Sequence, residues 1–264
     1  MTASLLPSDD CVICFAAHPD DETIGAGGQF PLLRNAWIVH ATDGAPRNML
    51  DAHAHGFTSR EAYADARRQE LGAALQLAGI DSERALALGF ADQECAHQLA
   101  GLTRRVGALL REMQPHTVLV PPYEGGHPDH DSLAFAIHLA CRDLANQSRC
   151  VPKVVEYALY HGQFGRLTTN EFLARAAEDA ITVPLSELVA NLKRQMLQCF
   201  ATQSAALAAF STAYERFRPA PRYNFAEPPH AGTLYYERFD WGIDGSVWRA
   251  RAVEAARELE VAIS

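Results

Sequence analysis

Two short stretches of this chain gather groups that can bind a metal ion and move protons: His18-Pro19-Asp20-Asp21-Glu22 and His127-Pro128-Asp129-His130-Asp131. Imidazole nitrogen and carboxylate oxygen are both good zinc ligands, and a further carboxylate nearby can hold an attacking water. Taken alone, the first stretch reads equally well as a polar turn that places acids at the N-terminus of a helix. The second stretch changes that balance. Each follows an apolar run, Cys11–Ala17 or His116–Pro121, and each precedes a helical pattern. If both runs are strands of one parallel sheet, both loops emerge on the same edge, where ligands gather beyond the carboxyl ends of strands. A His and an Asp from one loop with a His from the other then give three protein ligands and an open position for water. That is the arrangement of a catalytic rather than a structural zinc site.

The elements that must position these loops follow from hydrophobic period and turn signals. Cys11–Ala17 reads as a buried strand, Glu22–Arg34 as a helix carrying Gly25, Gly27 and Gly28 in its first turns, and Ala36–Thr42 as a second strand ended by Asp43-Gly44. Ala45–Ser59 is polar and without a period. Ser59–Ala78 is an amphipathic helix, Arg84–Phe90 a short strand, Gln98–Gln114 a helix, and His116–Pro121 a strand. Ser132–Asn146 is helical, Lys153–His161 a strand and Ser186–Phe210 a long helix. The tail holds a Pro-rich turn region over Phe217–Pro229, a strand over Thr233–Phe239 and a closing helix over Val247–Ala262. Strand–helix alternation with short links predicts a mainly parallel sheet covered on both faces. The expectation is an α/β, Rossmann-like three-layer fold with a C-terminal elaboration. It forms a single domain over 1–264, with its core at about 11–205 and the elaboration at about 206–264.

Composition bounds the function. The chain has 264 residues, of which 48 % are apolar and 21 % charged, as in an ordinary globular protein. A formal charge of −9 disfavours nucleic acid and anionic membrane surfaces as partners. No apolar run approaches the roughly 20 residues that span a bilayer. Met1–Asp10 holds two acids and no Lys or Arg, unlike a signal peptide. The six cysteines include Cys11-x-x-Cys14, whose members would point to opposite faces of a strand and so cannot share a metal. They read as reduced, apolar core residues, and the expected location is the cytoplasm.

Ala17–Glu22 with Gly27-Gly28, paired with His127–Asp131, resembles the two motifs of the PIG-L/LmbE-like family of zinc-dependent de-N-acetylases. Thr42-Asp43-Gly44, Arg67-x-x-Glu70 followed by Ala74, and Lys193–Gln203 are similar to weaker family marks in the same order. The pattern extends over about residues 11–205, and Glu237-Arg238-Phe239 is weakly similar to a C-terminal family motif. The resemblance implies that His18, Asp21 and His130 bind Zn2+ and that Asp20 is the general base. It further implies that His127 stabilises the oxyanion or acts as acid, with Asp129 orienting its ring; a protonated His127 would supply positive charge where the oxyanion forms. Arg67 is implied as a substrate-binding residue, although it could equally pair with Glu70 along its helix, and Arg68 reads as solvated. Tyr123 is a substrate-binding candidate whose competing reading is a packed loop aromatic.

The implied reaction is removal of an N-acetyl (N-acyl) group from an N-acetylglucosamine-type amino sugar or its soluble conjugate, so the partner is a small N-acylated molecule. The alternatives are a metal-dependent hydrolase of a non-sugar amide or ester, and a regulatory module that binds zinc or a nucleotide. No Gly-x-Gly-x-x-Gly follows the first strand, which argues against a dinucleotide site. The ligand set suits ferrous iron as well as zinc. His53 and His55 read as a rim over the site rather than a second metal centre. Trp241, Tyr223, Phe225, Tyr235 and Tyr236 either line a pocket or anchor the C-terminal region.

Overall fold

A computed structural model describes residues 6–174 and 179–264, so the N-terminal stretch read from Met1 begins outside the described residues. In chain order the elements are β1 (Val12–Ala16), α1 (Asp21–Ala26), β2 (Ala36–Pro46), α2 (Leu50–Ala54), α3 (Arg60–Leu77), β3 (Ala85–Asp92), α4 (Leu99–Met113), β4 (Thr117–Val120), α5 (Pro128–Asn146) and β5 (Lys153–Tyr157). They continue as β6 (Tyr160–His161), β7 (Thr168–Thr169), β8 (Ile181–Pro184), α6 (Glu187–Cys199), α7 (Ser204–Leu207), β9 (Tyr214–Pro219) and α8 (Gly245–Glu258). Seven strands form one sheet in the order β3-β2-β1-β4-β5-β9-β8. The first five of that order run parallel; β9 lies antiparallel to β5 and β8 antiparallel to β9. The chain leaves β1 toward β2 on one side and reaches β4 on the other. The crevice at this switch point is where open α/β sheets bind ligands.

Alternation along β1 divides the core into two layers. Val12 and Cys14 face α1, α3 and α6 through Ile24, Leu75 and Met196. Ile13 and Phe15 face α4 and α5 through Val106, Leu110 and Ile137. The three-layer expectation is therefore met. A third cluster, centred on the fully buried Trp248 of α8, packs the C-terminal helix over α4 and α5.

Several boundaries differ from the sequence reading. The expected helix over 22–34 stops at Ala26, where the Gly27-Gly28 pair and then Pro31 end it, and a short 3-10 turn follows. Helix α5 begins at Pro128 rather than Ser132, because proline suits the first helical position, where its missing N–H costs nothing. The expected long helix over 186–210 breaks at Phe200, whose ψ of 65° is not helical. β5 ends at Tyr157, ahead of the separate short β6. Residues 233–239 do not form a strand: a 3-10 turn stands at Tyr235–Arg238, with the Glu237 carboxylate accepting from the Leu234 and Gly245 amides at 2.9 and 2.8 Å. Part of the supposed turn region is β9, which continues the main sheet.

A buried ion pair ties this late strand to the start of the fold. Lys193 of α6 donates to Glu215 of β9 at 2.7 Å and to the Ile24 carbonyl of α1 at 2.7 Å. Glu215 also accepts from the Gly28 amide at 2.7 Å. Together they fix α1, the short helix whose first residue enters the site.

Candidate metal centre

The loop after β1 is held in a strained conformation. Asp20 has φ 133° and ψ −31°, a region that side chains rarely adopt and that persists only when surroundings over-determine it. Three groups do so here. Glu22 accepts from the Asp20 amide at 3.0 Å, and the same Glu22 oxygen lies 2.9 Å from His40 Nε2 on β2. From α3, Arg67 donates to the Pro19 carbonyl at 2.6 Å, to Asp20 Oδ2 at 3.1 Å and to the Gly44 carbonyl at 3.4 Å. A Cβ at Gly44 would lie 3.0 Å from both the guanidinium carbon and Pro19, and its φ is +66°, so the Thr42-Asp43-Gly44 turn needs glycine here. The Arg67–Glu70 pairing is not formed. Glu70 points the other way and accepts from the amide and hydroxyl of Thr202, fixing the turn before α7. Arg68 pairs with Asp65 at the surface.

The loop after β4 meets this one across the crevice. His127 caps α5, its Nδ1 accepting from the Asp129 amide at 3.1 Å. One turn of helix brings His130 Nε2 to 3.1 Å from Asp21 Oδ2, while His18 Nδ1 lies 3.3 Å from the same oxygen. His18, Asp21 and His130 thus form a cluster whose ligand atoms lie within 4.8 Å of one another. His130 Nε2 is buried and, despite its nearness to Asp21, makes no hydrogen bond. A buried nitrogen 3.1 Å from a carboxylate without hydrogen-bond geometry is placed to share a cation with it. With imidazole and carboxylate donors only, the set fits a divalent cation such as zinc.

A second overlapping cluster contains His18, Asp92, His127 and Asp129. Asp92, at the end of β3, lies 3.1 Å from His18 Nε2 and 3.8 Å from His127 Nε2. Sequence reasoning missed it. The available signal was a carboxylate at a strand end, in Ala91-Asp92-Gln93. Both oxygens of Asp129 accept backbone amides, from Gln93 at 2.7 Å and Cys95 at 3.0 Å, so the Asp129 side chain already anchors the loop after β3. This corrects its expected part: the carboxylate stands 4.0 Å from His127 Nδ1, and it is the Asp129 backbone N–H that sets the ring.

Electrostatics separate the two adjacent aspartates. Burial pushes Asp20 up to about 8, an effect the Arg67 guanidinium partly offsets and the Asp21 and Glu22 charges reinforce. Burial also works against the ionised form of Asp21, but His130 and His18 outweigh it and hold this carboxyl well below the usual range. For His127, burial and then the neighbouring His18 push the imidazole well below its ordinary value. Because its Nδ1 accepts an amide proton, the neutral tautomer carries hydrogen on Nε2. Both the burial of His127 and its Nδ1 contact favour the neutral ring with its N–H on Nε2 over the protonated form.

A cleft of about 300 Å³ opens over these groups, lined by His18, Asp20, Asp21, Arg67, Asp92 and His127 among others. Tyr160, Tyr235 and Trp241 also reach it. Tyr123 does not: it stacks on Trp248 at 5.2 Å and donates to the Glu227 carbonyl at 2.8 Å, so its position in the C-terminal core corrects the substrate-contact expectation. Phe225 and Tyr236 are fully buried, and Tyr223 packs half-buried against the cluster that holds Phe225. His55 is exposed and lies over Tyr63 at 5.8 Å, and neither it nor His53 joins either ligand cluster.

Residues 13–141 match the family model described as PIG-L: GlcNAc-PI de-N-acetylase. The chain is 27 % identical over 144 residues to a Bacillus cereus protein described as "Probable N-acetyl-alpha-D-glucosaminyl L-malate deacetylase 2", covering 53 % of this chain and 64 % of that protein. It is 30 % identical over 132 residues to diacetylchitobiose deacetylase of Thermococcus kodakarensis, covering 47 % of this chain and 46 % of the relative. The matched stretch therefore spans less than two thirds of either relative. Among solved structures, N,N'-diacetylchitobiose deacetylase from Pyrococcus horikoshii superposes with a TM-score of 0.56 at 21 % identity, over 80 % of this chain and 83 % of that one. That likeness establishes the shared fold.

Proposed function

We propose, from the premise that its segment 13–141 belongs to the PIG-L family, that this protein is a metal-dependent hydrolase that removes an N-acetyl group from an amino sugar or its soluble conjugate. One observation carries the reading. His18, Asp21 and His130 converge, with a buried His130 nitrogen that faces Asp21 but makes no hydrogen bond, while a neighbouring carboxylate, Asp20, lies outside that trio on the cleft wall. A purely structural metal site has no use for Asp20 in a strained, clamped turn.

His18, Asp21 and His130 would hold the ion, with zinc the cation we favour. When bound, it supplies Lewis acidity and lowers the pKa of water toward ~7. Asp20 is the general base. It takes a proton from the attacking water as the oxygen–carbon bond forms, then returns that proton to the amide nitrogen as the carbon–nitrogen bond breaks. Acetate and a free amine result. Arg67 keeps the Asp20 carboxylate aimed at the water, and its place on the cleft wall leaves it able to meet an anionic group of the substrate. His127 donates from Nε2 to the carbonyl oxygen as negative charge develops there. Asp129 supports the site through the loop after β3 and through the peptide N–H that fixes the His127 tautomer.

Among the described residues, no helix is long and apolar enough to cross a membrane. That fits the charge of −9 in favouring a soluble sugar conjugate over a lipid-embedded one, and we place the protein in the cytoplasm. The test is a panel of N-acetyl sugars, sugar conjugates, N-acetyl amino acids, acetylated polyamines and simple esters, assayed for acetate and free amine. Turnover of the sugars is expected. Turnover confined to amino acids or esters would refute the sugar assignment and keep the hydrolase.

A further inference from the structure

Behind the strained turn lies a second cavity that the proposed reaction does not use. It encloses about 270 Å³ between α3 and the paired strands β2 and β3. Small residues leave this space open: Ala64 and Gly72 on one face of α3, and Ala85 and Ala87 on β3. A Cβ built on Gly72 would meet nothing within 4 Å. Glycine weakens a helix interior, and no close approach calls for it here; its effect is to keep the cavity open. Leu71 and Leu75 make the α3 wall apolar. The charged residues that border the cavity are already paired, Asp43 with Arg60 and Arg68 with Asp65, so an ionic occupant finds no free counter-charge.

One polar group in this apolar space is incompletely satisfied. His40 is 3 % exposed and lines the cavity, as does Pro19 of the strained turn. His40 Nε2 is committed to Glu22 at 2.9 Å, whereas Nδ1 has no hydrogen-bond partner among the described residues. Glu22 accepts from the Asp20 amide at 3.0 Å and from the Thr23 hydroxyl at 2.6 Å. An acceptor on every side makes His40 Nε2 the donor, and the neutral ring then presents Nδ1 as a bare acceptor. A buried acceptor without a partner is costly, and a donor brought into the cavity would relieve it.

We propose that this cavity is an effector site for a small neutral molecule, a compact phenol or alcohol about one ring in size, whose hydroxyl donates to His40 Nδ1. A cavity of roughly 150 Å³ can hold benzene, and this one is larger. A donor at Nδ1 draws electron density from the ring and strengthens the Nε2–H bond to Glu22, by about 10–30 %. Glu22 in turn holds the Asp20 amide. The occupant is thus joined through His40 and Glu22 to the turn that carries the proposed base, and it touches the same turn at Pro19. Its presence steadies Asp20 from the side opposite the substrate.

The experiment measures binding of phenol and of toluene to the metal-loaded full chain by calorimetry. Toluene fills the same space without a donor. A phenol hydroxyl buried unpaired would weaken binding by roughly 5- to 150-fold, so phenol binding at least as tightly as toluene is the result expected of a bond to His40. Gly72→Leu puts a side chain into the cavity and a better helix former into α3; it should weaken phenol binding at least about tenfold with Tm unchanged or raised. No binding of either probe at millimolar concentration, toluene tighter than phenol by about fivefold or more, or phenol binding that survives Gly72→Leu would overturn the site. The hold on Asp20 rests on the hydrolase reading and is read separately: saturating phenol should raise kcat/KM by about twofold in the wild type and leave Gly72→Leu unchanged. A wild-type rate that phenol does not raise would overturn the effector role. Absence of turnover of any amide would sink the hydrolase reading, with the binding measurements still deciding the cavity.

Discussion

Arg67→Leu removes the clamp on the strained turn while keeping an apolar stem in the same space. The lost donors serve the Pro19 carbonyl and Asp20 Oδ2, and the carboxylate is left beside Asp21 and Glu22 without its strongest counter-charge. Breaking one side of a buried pair costs about 3–5 kcal/mol. The lower end applies here, because the Asp20 side chain keeps 10 % of its surface open to the cleft. If that energy holds the base in its working position, a loss of ~3 kcal/mol corresponds to roughly a 150-fold fall in kcat/KM at 1.36 kcal/mol per decade. Arg67→Lys keeps the charge but not the fork that reaches two oxygens at once, and should fall between. The assay is steady-state deacetylation with metal content and thermal unfolding measured on the same samples. Activity within threefold of wild type for Arg67→Leu, with the fold intact, would refute the clamp. Loss of metal rather than of rate would mean that Arg67 shapes the ligand loop instead of the base.

Three further outcomes are expected. Asp20→Asn keeps the shape but removes the basic lone pair, so metal content should persist while turnover falls by about 10²–10⁴-fold; activity within a few-fold of wild type would place the base elsewhere. His130→Ala should lose most of the bound metal by elemental analysis, and full retention would show the ligand set to be misassigned. Lys193→Met leaves Glu215 charged in a region that is 1 % exposed. It should cost about 3–5 kcal/mol and lower Tm by roughly 6–15 °C, whereas a shift under 2 °C would deny the ion pair its place in the fold.

The parts of the candidate site that follow a repeated local pattern are legible in the sequence. His18, Asp21 and His130 announce themselves through two strand–His-Pro-Asp–helix passages, and the parallel pairing of β1 with β4 does bring those passages together. Asp92 carries no such local mark. It joins the site only because β3 lies beside β2, a fact of strand order that no short stretch encodes. The support beneath the site was hidden for the same reason, since His40 sits in an apolar run and meets Glu22 only when β2 pairs with β1. β9 escaped notice because its buried positions include Glu215 and Arg218, whose partners Lys193 and Glu156 come from α6 and β5. Paired charges in the interior erase the apolar alternation by which a strand is read. Tyr123 shows the converse error. Its nearness to His127 in sequence suggested a substrate contact, but the strand-end loop directs the ring toward Trp248.

The most direct measurement is release of acetate and amine from an N-acetylglucosamine conjugate by the same protein sample before chelation, after it, and after return of zinc. A cation held by His18, Asp21 and His130, with Asp20 as base, predicts about one equivalent of metal per chain, loss of turnover on its removal and recovery as that equivalent is restored. Undiminished turnover in protein shown by elemental analysis to be free of metal would contradict the account at its centre.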